Sequence, residues 1–117
     1  MNILDYVRLY ANEYQQFSMR TINPEADNLV NGAMGLCGEA GEVADLVKKV
    51  RFHGHDLEAN RGKLIEEIGD CAWYLALLCT VLDVPMETVL WQNVEKLRKR
   101  YTKGFSVEES VNRRDKE

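Results

Sequence analysis

The stretch LIEEIGDCAWYLALLCTVL, residues 64–82, gives the clearest indication that this chain is helical. Its apolar side chains recur at steps of four and three residues, which is the spacing of one face of an α-helix. The half from Trp73 to Leu82 is apolar on nearly every side. Three neighbouring helices cannot fully cover such a segment in so small a chain, so this half is predicted to lie between subunits. The apolar side chains on the core-facing side of this helix are Leu64, Ile68, Cys71, Leu75, Leu78 and Leu82.

Two helices are predicted before this stretch. Apolar residues near the N-terminus share one stripe, and the first helix should end before the turn at residues 21–24, because the residue before Pro24 avoids helical angles. A second helix begins near Asp27 or Asn28, either of which can cap it, and runs to about Arg51. The stripe of the first helix consists of Ile3, Val7, Tyr10, Tyr14 and Phe17.

The connections between the helices predict their packing. A loop at residues 52–56 leads into the third helix, from about Asn60 to Leu82. A corner at residues 83–85 leads into a fourth helix that ends near Tyr101, with Pro85 suited to its first position. Short connections favour antiparallel neighbours, so the sequence predicts an all-α, antiparallel four-helix bundle. The charged segment from about residue 106 is expected to be flexible.

Length, charge and hydropathy narrow the class of protein. At 117 residues the chain is expected to form one domain, residues 1–117. A formal charge of −4 argues against non-specific nucleic-acid binding, which requires a basic surface. Asp5 and Arg8 interrupt any signal-peptide core, and the longest near-apolar run, residues 71–82, is too short to span a bilayer. We therefore expect a cytoplasmic protein that binds neither nucleic acid nor membrane.

Two pairs of acidic residues suggest a metal site. Glu39 and Glu42 stand three positions apart on the second helix, and Glu67 and Asp70 repeat this spacing on the third. Residues three apart share one helix face, so each pair can contact one object at the same time. On antiparallel helices the four carboxylates would meet at one level, where their mutual repulsion requires a cation. Oxygen ligands favour Mg²⁺, for which Mn²⁺ can substitute.

Two other interpretations of these acids compete with the metal site. A di-iron site would use Glu-x-x-His pairs, but the two histidines, His53 and His55, fall in the predicted loop. Either pair alone is more often a solvated pair on a helix surface. Four glycines interleave with the pairs, although a helical glycine costs about 1 kcal/mol relative to alanine. They indicate that a backbone or ligand approaches closely; they are Gly35, Gly38, Gly41 and Gly69.

Taken together, the two acidic pairs resemble the signature of a known superfamily. GEAGEVAD at residues 38–45, followed by EIGD at residues 67–70, is similar to the Glu-x-x-Glu plus Glu-x-x-Asp signature of the all-α nucleotide pyrophosphohydrolases. These include MazG-like enzymes, dCTP pyrophosphatases and dimeric dUTPases, and the likeness covers roughly residues 28–105. It implies a magnesium-dependent enzyme that hydrolyses NTP or dNTP to the monophosphate and pyrophosphate, with a role in nucleotide-pool house-cleaning.

The resemblance also suggests residues for the substrate. Asn93, Lys96, Arg100 and Tyr101 match a family pattern near the triphosphate, and the first three share one stripe of the fourth helix. Without the family, Lys96 and Arg100 are ordinary cations at a helix C-terminus. Lys49 has the same two interpretations, as a substrate contact or as a surface cation.

These residues suggest a mechanism and a rival function. Glu42 is assigned as the base that deprotonates the attacking water, and Lys96 as a cationic aid to catalysis. The related enzymes assemble through their helices, so a homodimer or homotetramer is expected. The alternative is a non-catalytic helical interaction or regulatory module that retains the fold.

Overall fold

The structure, a computed structural model, describes residues 2–116, and in the first helix it describes side chains from Tyr10 onward. The stripe positions Ile3 and Val7, and the charged Asp5 and Arg8, therefore lie outside the described side chains. The described residues form helices and no strand, so the all-α prediction is confirmed. The helices are α1 (Ile3–Ser18, followed by a 3₁₀ turn at Met19–Thr21), α2 (Asn28–Phe52), α3 (Leu57–Val81), α4 (Met86–Arg100) and α5 (Val107–Asn112, with a 3₁₀ turn at Arg114–Lys116).

Aspartate caps set the beginnings of the two longest helices. The Asp27 carboxylate accepts a hydrogen bond from the Val30 N–H at 3.3 Å, so of the two caps that the sequence allowed, Asp27 is the one used. The Asp56 carboxylate accepts one from the Ala59 N–H at 2.8 Å. Because an N-cap satisfies otherwise unpaired N–H groups, α3 begins at Leu57, three residues before the predicted start.

Helices α2 and α3 form a long antiparallel hairpin. Leu78 faces Gly32 and Tyr74 faces Gly35, so the two helices run in opposite directions. A Cβ atom added at either glycine would overlap the facing side chain. These two glycines therefore permit the close approach of α3, as the sequence suggested for Gly35. Four apolar residues are buried within the described chain: Leu46, Ala76, Leu77 and Cys79.

Helix α1 is fixed against α3 and α4 by side-chain amides. The Gln15 amide donates to Thr80 Oγ1 at 3.2 Å and accepts from the Met86 N–H at 2.6 Å. Asn12 Oδ1 accepts from the Glu87 N–H at 3.1 Å. Pro85, predicted at the first helical position of α4, instead occupies the N-cap position directly before Met86 and makes no side-chain cap. Residues of α1 therefore cap α4.

The described parts of the helices do not close around a common core within one chain. Helix α2 packs extensively only against α3, and its Met34 side chain stays 70% exposed. The radius of gyration is 17.2 Å, against about 13 Å for a compact chain of some 100 residues. The predicted four-helix bundle is therefore not confirmed. Further exposed apolar side chains on the hairpin include Leu29, Val30, Val47, Ile65, Ile68 and Leu75.

Two further findings concern α3, α4 and the C-terminal segment. No single described helix is long and apolar enough to cross a membrane. By length and composition alone α3 and α4 pass together, but they are bent by 103° where they meet. The segment beyond residue 106, expected to be flexible, instead forms α5 and a 3₁₀ turn that lie against α4.

Candidate metal centre

Three carboxylates converge where α2 faces α3. Glu39 projects from α2, and Glu67 and Asp70 from one face of α3. One oxygen of each lies within 4.8 Å of the others. We call these residues the carboxylate trio. The acidic residues were predicted to meet on antiparallel helices, and three of the four do.

The trio is electrostatically unfavourable without a cation. The pKa of Glu67 is raised, first because its carboxyl group shares a hydrogen bond with Glu39, then by burial and by the negative charges of Glu39 and Asp70. Glu67 Oε2 is buried and has no hydrogen-bond partner among the described residues. Two ionised carboxylates cannot hydrogen-bond to each other, so the contact between Glu39 and Glu67 needs either a shared proton or a cation. Oxygen ligands without nitrogen or sulfur suit Mg²⁺ or Mn²⁺.

Glu42 lies outside the trio. It is exposed on α2, one helical turn beyond Glu39. It contributes to the raised pKa of Lys49, although a hydrogen bond with Asp45 is the larger cause. Lys49 Nζ lies 2.9 Å from an Asp45 oxygen, so this cation is paired on the surface of α2. Two assignments therefore remain predictions: Glu42 as a metal ligand and Lys49 as a substrate contact.

Open space lies beside the acids on both helices. A Cβ atom added at Gly38, Gly41 or Gly69 would have no described atom within 4 Å. The close approach inferred from the glycines is therefore made by α3 at Gly35 but by none of the described residues at the other three. A ligand or a second chain has room to approach the trio here.

Helix α1 brings a phenol toward the trio. The indole N–H of Trp73 donates to the Ser18 carbonyl at 3.0 Å and thereby ties the end of α1 to α3. The pKa of Tyr14 is raised by burial and secondly by the negative charge of Asp70. The sequence placed Tyr14 only on an apolar stripe, because its period does not show which helix α1 meets. Tyr14 also lines a cavity of about 630 Å³ along α1, where the Arg20 guanidinium stacks 4.2 Å from the Phe17 ring centroid.

The residues expected near a triphosphate lie on α4 or follow it directly. Asn93 and Lys96 are exposed, and Lys96 lines a cavity of about 400 Å³ beside α4. Arg100 is 17% exposed and pairs with Asp115, and Tyr101 hydrogen-bonds to the Ser110 hydroxyl. None of the described hydrogen bonds or ion pairs joins these four residues to the trio. Sequence reasoning missed Asp115, which looked like one more charge in a polar tail.

Comparison with known proteins places the chain in a family. The model of the MazG nucleotide pyrophosphohydrolase domain matches residues 31–105, which include both acidic pairs and all the α4 candidates. The chain is 45% identical over 73 residues to the "Gene 37 protein" of Mycobacterium phage L5, and this match covers 61% of the chain and 64% of the phage protein. No solved structure matches. The chain belongs to the MazG nucleotide pyrophosphohydrolase domain family.

Proposed function

We propose that the protein is a magnesium-dependent nucleoside triphosphate pyrophosphohydrolase that converts NTP or dNTP and water to the monophosphate and pyrophosphate. One observation carries this proposal within the family: the trio combines three convergent carboxylates with a buried, unpartnered Glu67 oxygen. A cation is the simplest partner for that oxygen, and triphosphates are handled by enzymes mainly through positioning and charge neutralisation.

The trio would hold Mg²⁺, with Mn²⁺ as a substitute. When bound, such an ion neutralises charge on the carboxylates and phosphates and orients the phosphate oxygens. The second pair member on α2, Glu42, is exposed and outside the trio, which leaves its carboxylate available to accept the proton of the attacking water. The water oxygen forms a bond to the α phosphorus, the bond from that phosphorus to the bridging oxygen breaks, and pyrophosphate leaves.

Cations on α4 would neutralise the negative charge of the departing pyrophosphate. Lys96 is exposed, makes no described ion pair and faces a cavity, so it is the candidate to meet the pyrophosphate oxygens. Asn93 lies one turn earlier on the same stripe and can hydrogen-bond to the substrate. These two residues, together with Arg100, Tyr101 and Lys49, are the proposed substrate contacts.

We propose a second copy of the chain as the partner that completes the fold. The α2–α3 hairpin would form half of a four-helix bundle, and its exposed apolar side chains would lie in the contact rather than in water. A homodimer or homotetramer would cover this face. Within the half of α3 assigned to the contact, Ala76 and Leu77 are fully buried inside the chain, so the candidates there are Leu75, Val81 and Leu82.

The rival function is a non-catalytic interaction or regulatory module. Such a module would have no need for the trio, whose clustered charges cost stability. The retained acids therefore favour catalysis. The proposed setting is the cytoplasm, where the enzyme would remove unwanted nucleotides from the pool.

A substrate screen with a matched pair of variants tests the proposal. The common NTPs and dNTPs plus dUTP are assayed for pyrophosphate release with Mg²⁺ and with EDTA. Glu67→Gln should lose more than about 100-fold in activity, because even indirect partners of metal ligands typically cost 10–100-fold. Glu66→Gln, an exposed neighbour outside the trio, should retain activity within a few-fold. Equal activities of the two variants, or full activity in EDTA, would refute the metal site.

A further inference from the structure

The end of the chain folds back onto the last turn of α4 through a buried ion pair. Asp115 Oδ1 accepts a hydrogen bond from Arg100 Nε at 2.9 Å, and Oδ2 accepts from Arg100 Nη2 at 3.1 Å. Arg113 makes a second bidentate pair with the same carboxylate, at 3.2 Å for both bonds. The Asp115 side chain is only 1% exposed. We call residues 107–116 the C-terminal clasp.

The clasp also engages the residues that follow Arg100. Tyr101 hydrogen-bonds to the Ser110 hydroxyl, which lowers the pKa of the phenol. The Glu109 carboxylate accepts from the N–H and the hydroxyl of Thr102, both at 3.2 Å. Both substrate candidates at this end of α4 are therefore already bonded to side chains of the clasp.

Asp115 holds Arg100 in the way that a phosphate would. A guanidinium has a planar fork whose paired N–H groups match either a carboxylate or a phosphate. The fork edge formed by Nε and Nη2 of Arg100 is occupied by the carboxylate. Asp115 also lines the cavity of about 400 Å³ that Lys96 and Lys99 face. An anion that reaches these lysines thus meets a carboxylate that repels it and competes for the nearest guanidinium.

We propose that the C-terminal clasp is autoinhibitory, with the Asp115 carboxylate occupying the place of a phosphate on Arg100 until a triphosphate displaces it. This inference rests on the proposed function in one respect, the contact of Arg100 with the triphosphate. Displacement exchanges a carboxylate for a phosphate on the same fork, and the clasp then leaves α4.

The affinity for inorganic triphosphate tests this directly, measured by calorimetry on the full chain. If the clasp is closed nine-tenths of the time, its loss lowers the apparent Kd about tenfold. Asp115→Asn should show this tighter binding. The control is Glu108→Gln, which removes one negative charge from the clasp at an exposed residue of α5 without a described contact, and it should bind like the wild type. Equal or weaker binding by Asp115→Asn, or no binding by either protein, overturns the proposal.

A measurement on the wild-type chain keeps the test independent of how the variant folds. Amide hydrogen exchange in residues 107–116 should become faster when inorganic triphosphate is added, because the clasp is released. Unchanged or slower exchange overturns the proposal. Neither measurement requires hydrolysis. If the chain releases its clasp on binding inorganic triphosphate but hydrolyses no nucleotide, the proposed function is refuted. The proposal that Asp115 competes with triphosphate for Arg100 then still stands.

Discussion

The contact between Gly35 and Tyr74 sets the separation of α2 and α3 beside the carboxylate trio. Gly35 lies about one turn before Glu39, and Tyr74 one turn after Asp70. A Cβ atom built on Gly35 would lie within 3.0 Å of the Tyr74 ring. The ring cannot easily yield, since it packs edge-on against Trp73 with centroids 5.1 Å apart. Gly35→Ala should therefore push the helices apart.

The magnitude follows from two opposing terms. Alanine gains about 1 kcal/mol over glycine in helix propensity. Overpacking a close contact costs about 1–3 kcal/mol. Gly62→Ala on α3 is a matched control, because a Cβ atom there has no described atom within 4 Å and brings only the propensity term. The propensity terms cancel in the comparison, so Gly35→Ala should be about 1–3 kcal/mol less stable than Gly62→Ala.

Urea unfolding followed by circular dichroism measures this difference. The free energies of unfolding are extrapolated linearly to water, with all proteins at one concentration in case subunit association contributes. Gly35→Ala should also bind Mn²⁺ more weakly than Gly62→Ala, because Glu39 moves away from Glu67. Equal stability of the two variants would show that α3 does not approach α2 as described.

Three further predictions concern the open face of the site, the position of α1 and the clasp. Gly38→Ala should leave stability unchanged or raise it by up to about 1 kcal/mol, since nothing described lies within 4 Å, yet lower kcat/KM by crowding the substrate; an unchanged kcat/KM would contradict this. Gln15→Leu should cost about 1–3 kcal/mol of unfolding free energy, because its part-buried backbone partners lose their hydrogen bonds, whereas the exposed Gln16→Leu should cost much less; equal losses would refute the bridging role. The two arginine partners hold the pKa of Asp115 far below its ordinary 3.8, so its stabilisation is complete above pH 3.8 and is lost as the pH falls from there toward the depressed value. The difference in Tm between wild type and Asp115→Asn should therefore shrink below pH 3.8, and a constant difference would argue against the ion pair.

Features encoded within a single helix could be predicted from the sequence. The apolar period located α1 and α3, and the corner before Pro85 located α4. The cap of α2 was narrowed to Asp27 or Asn28, because capping depends on immediate neighbours, and it is Asp27. The spacing of Glu67 and Asp70 put both on one face. The start of α3 was missed because Asp56 was assigned to a loop rather than to a cap.

Features that depend on contacts between distant segments could not be predicted. Nothing local marks Gln15 as the residue that caps α4, because its partners lie about 70 positions away. The pairing of Arg100 with Asp115 likewise requires the chain to reverse after α4. Glu42 shares its helix face with Glu39, but the side chain opposite decides which acid joins the trio, and that neighbour is set by the packing of α3.

The position of the water oxygen in the products shows which phosphorus atom is attacked. Hydrolysis of the best nucleotide in ¹⁸O-labelled water, with Mg²⁺ present, is followed by mass spectrometry of both products. Attack at the α phosphorus predicts one labelled oxygen in the nucleoside monophosphate and unlabelled pyrophosphate. Label in pyrophosphate, or labelled orthophosphate as the first product, would contradict attack at the α phosphorus.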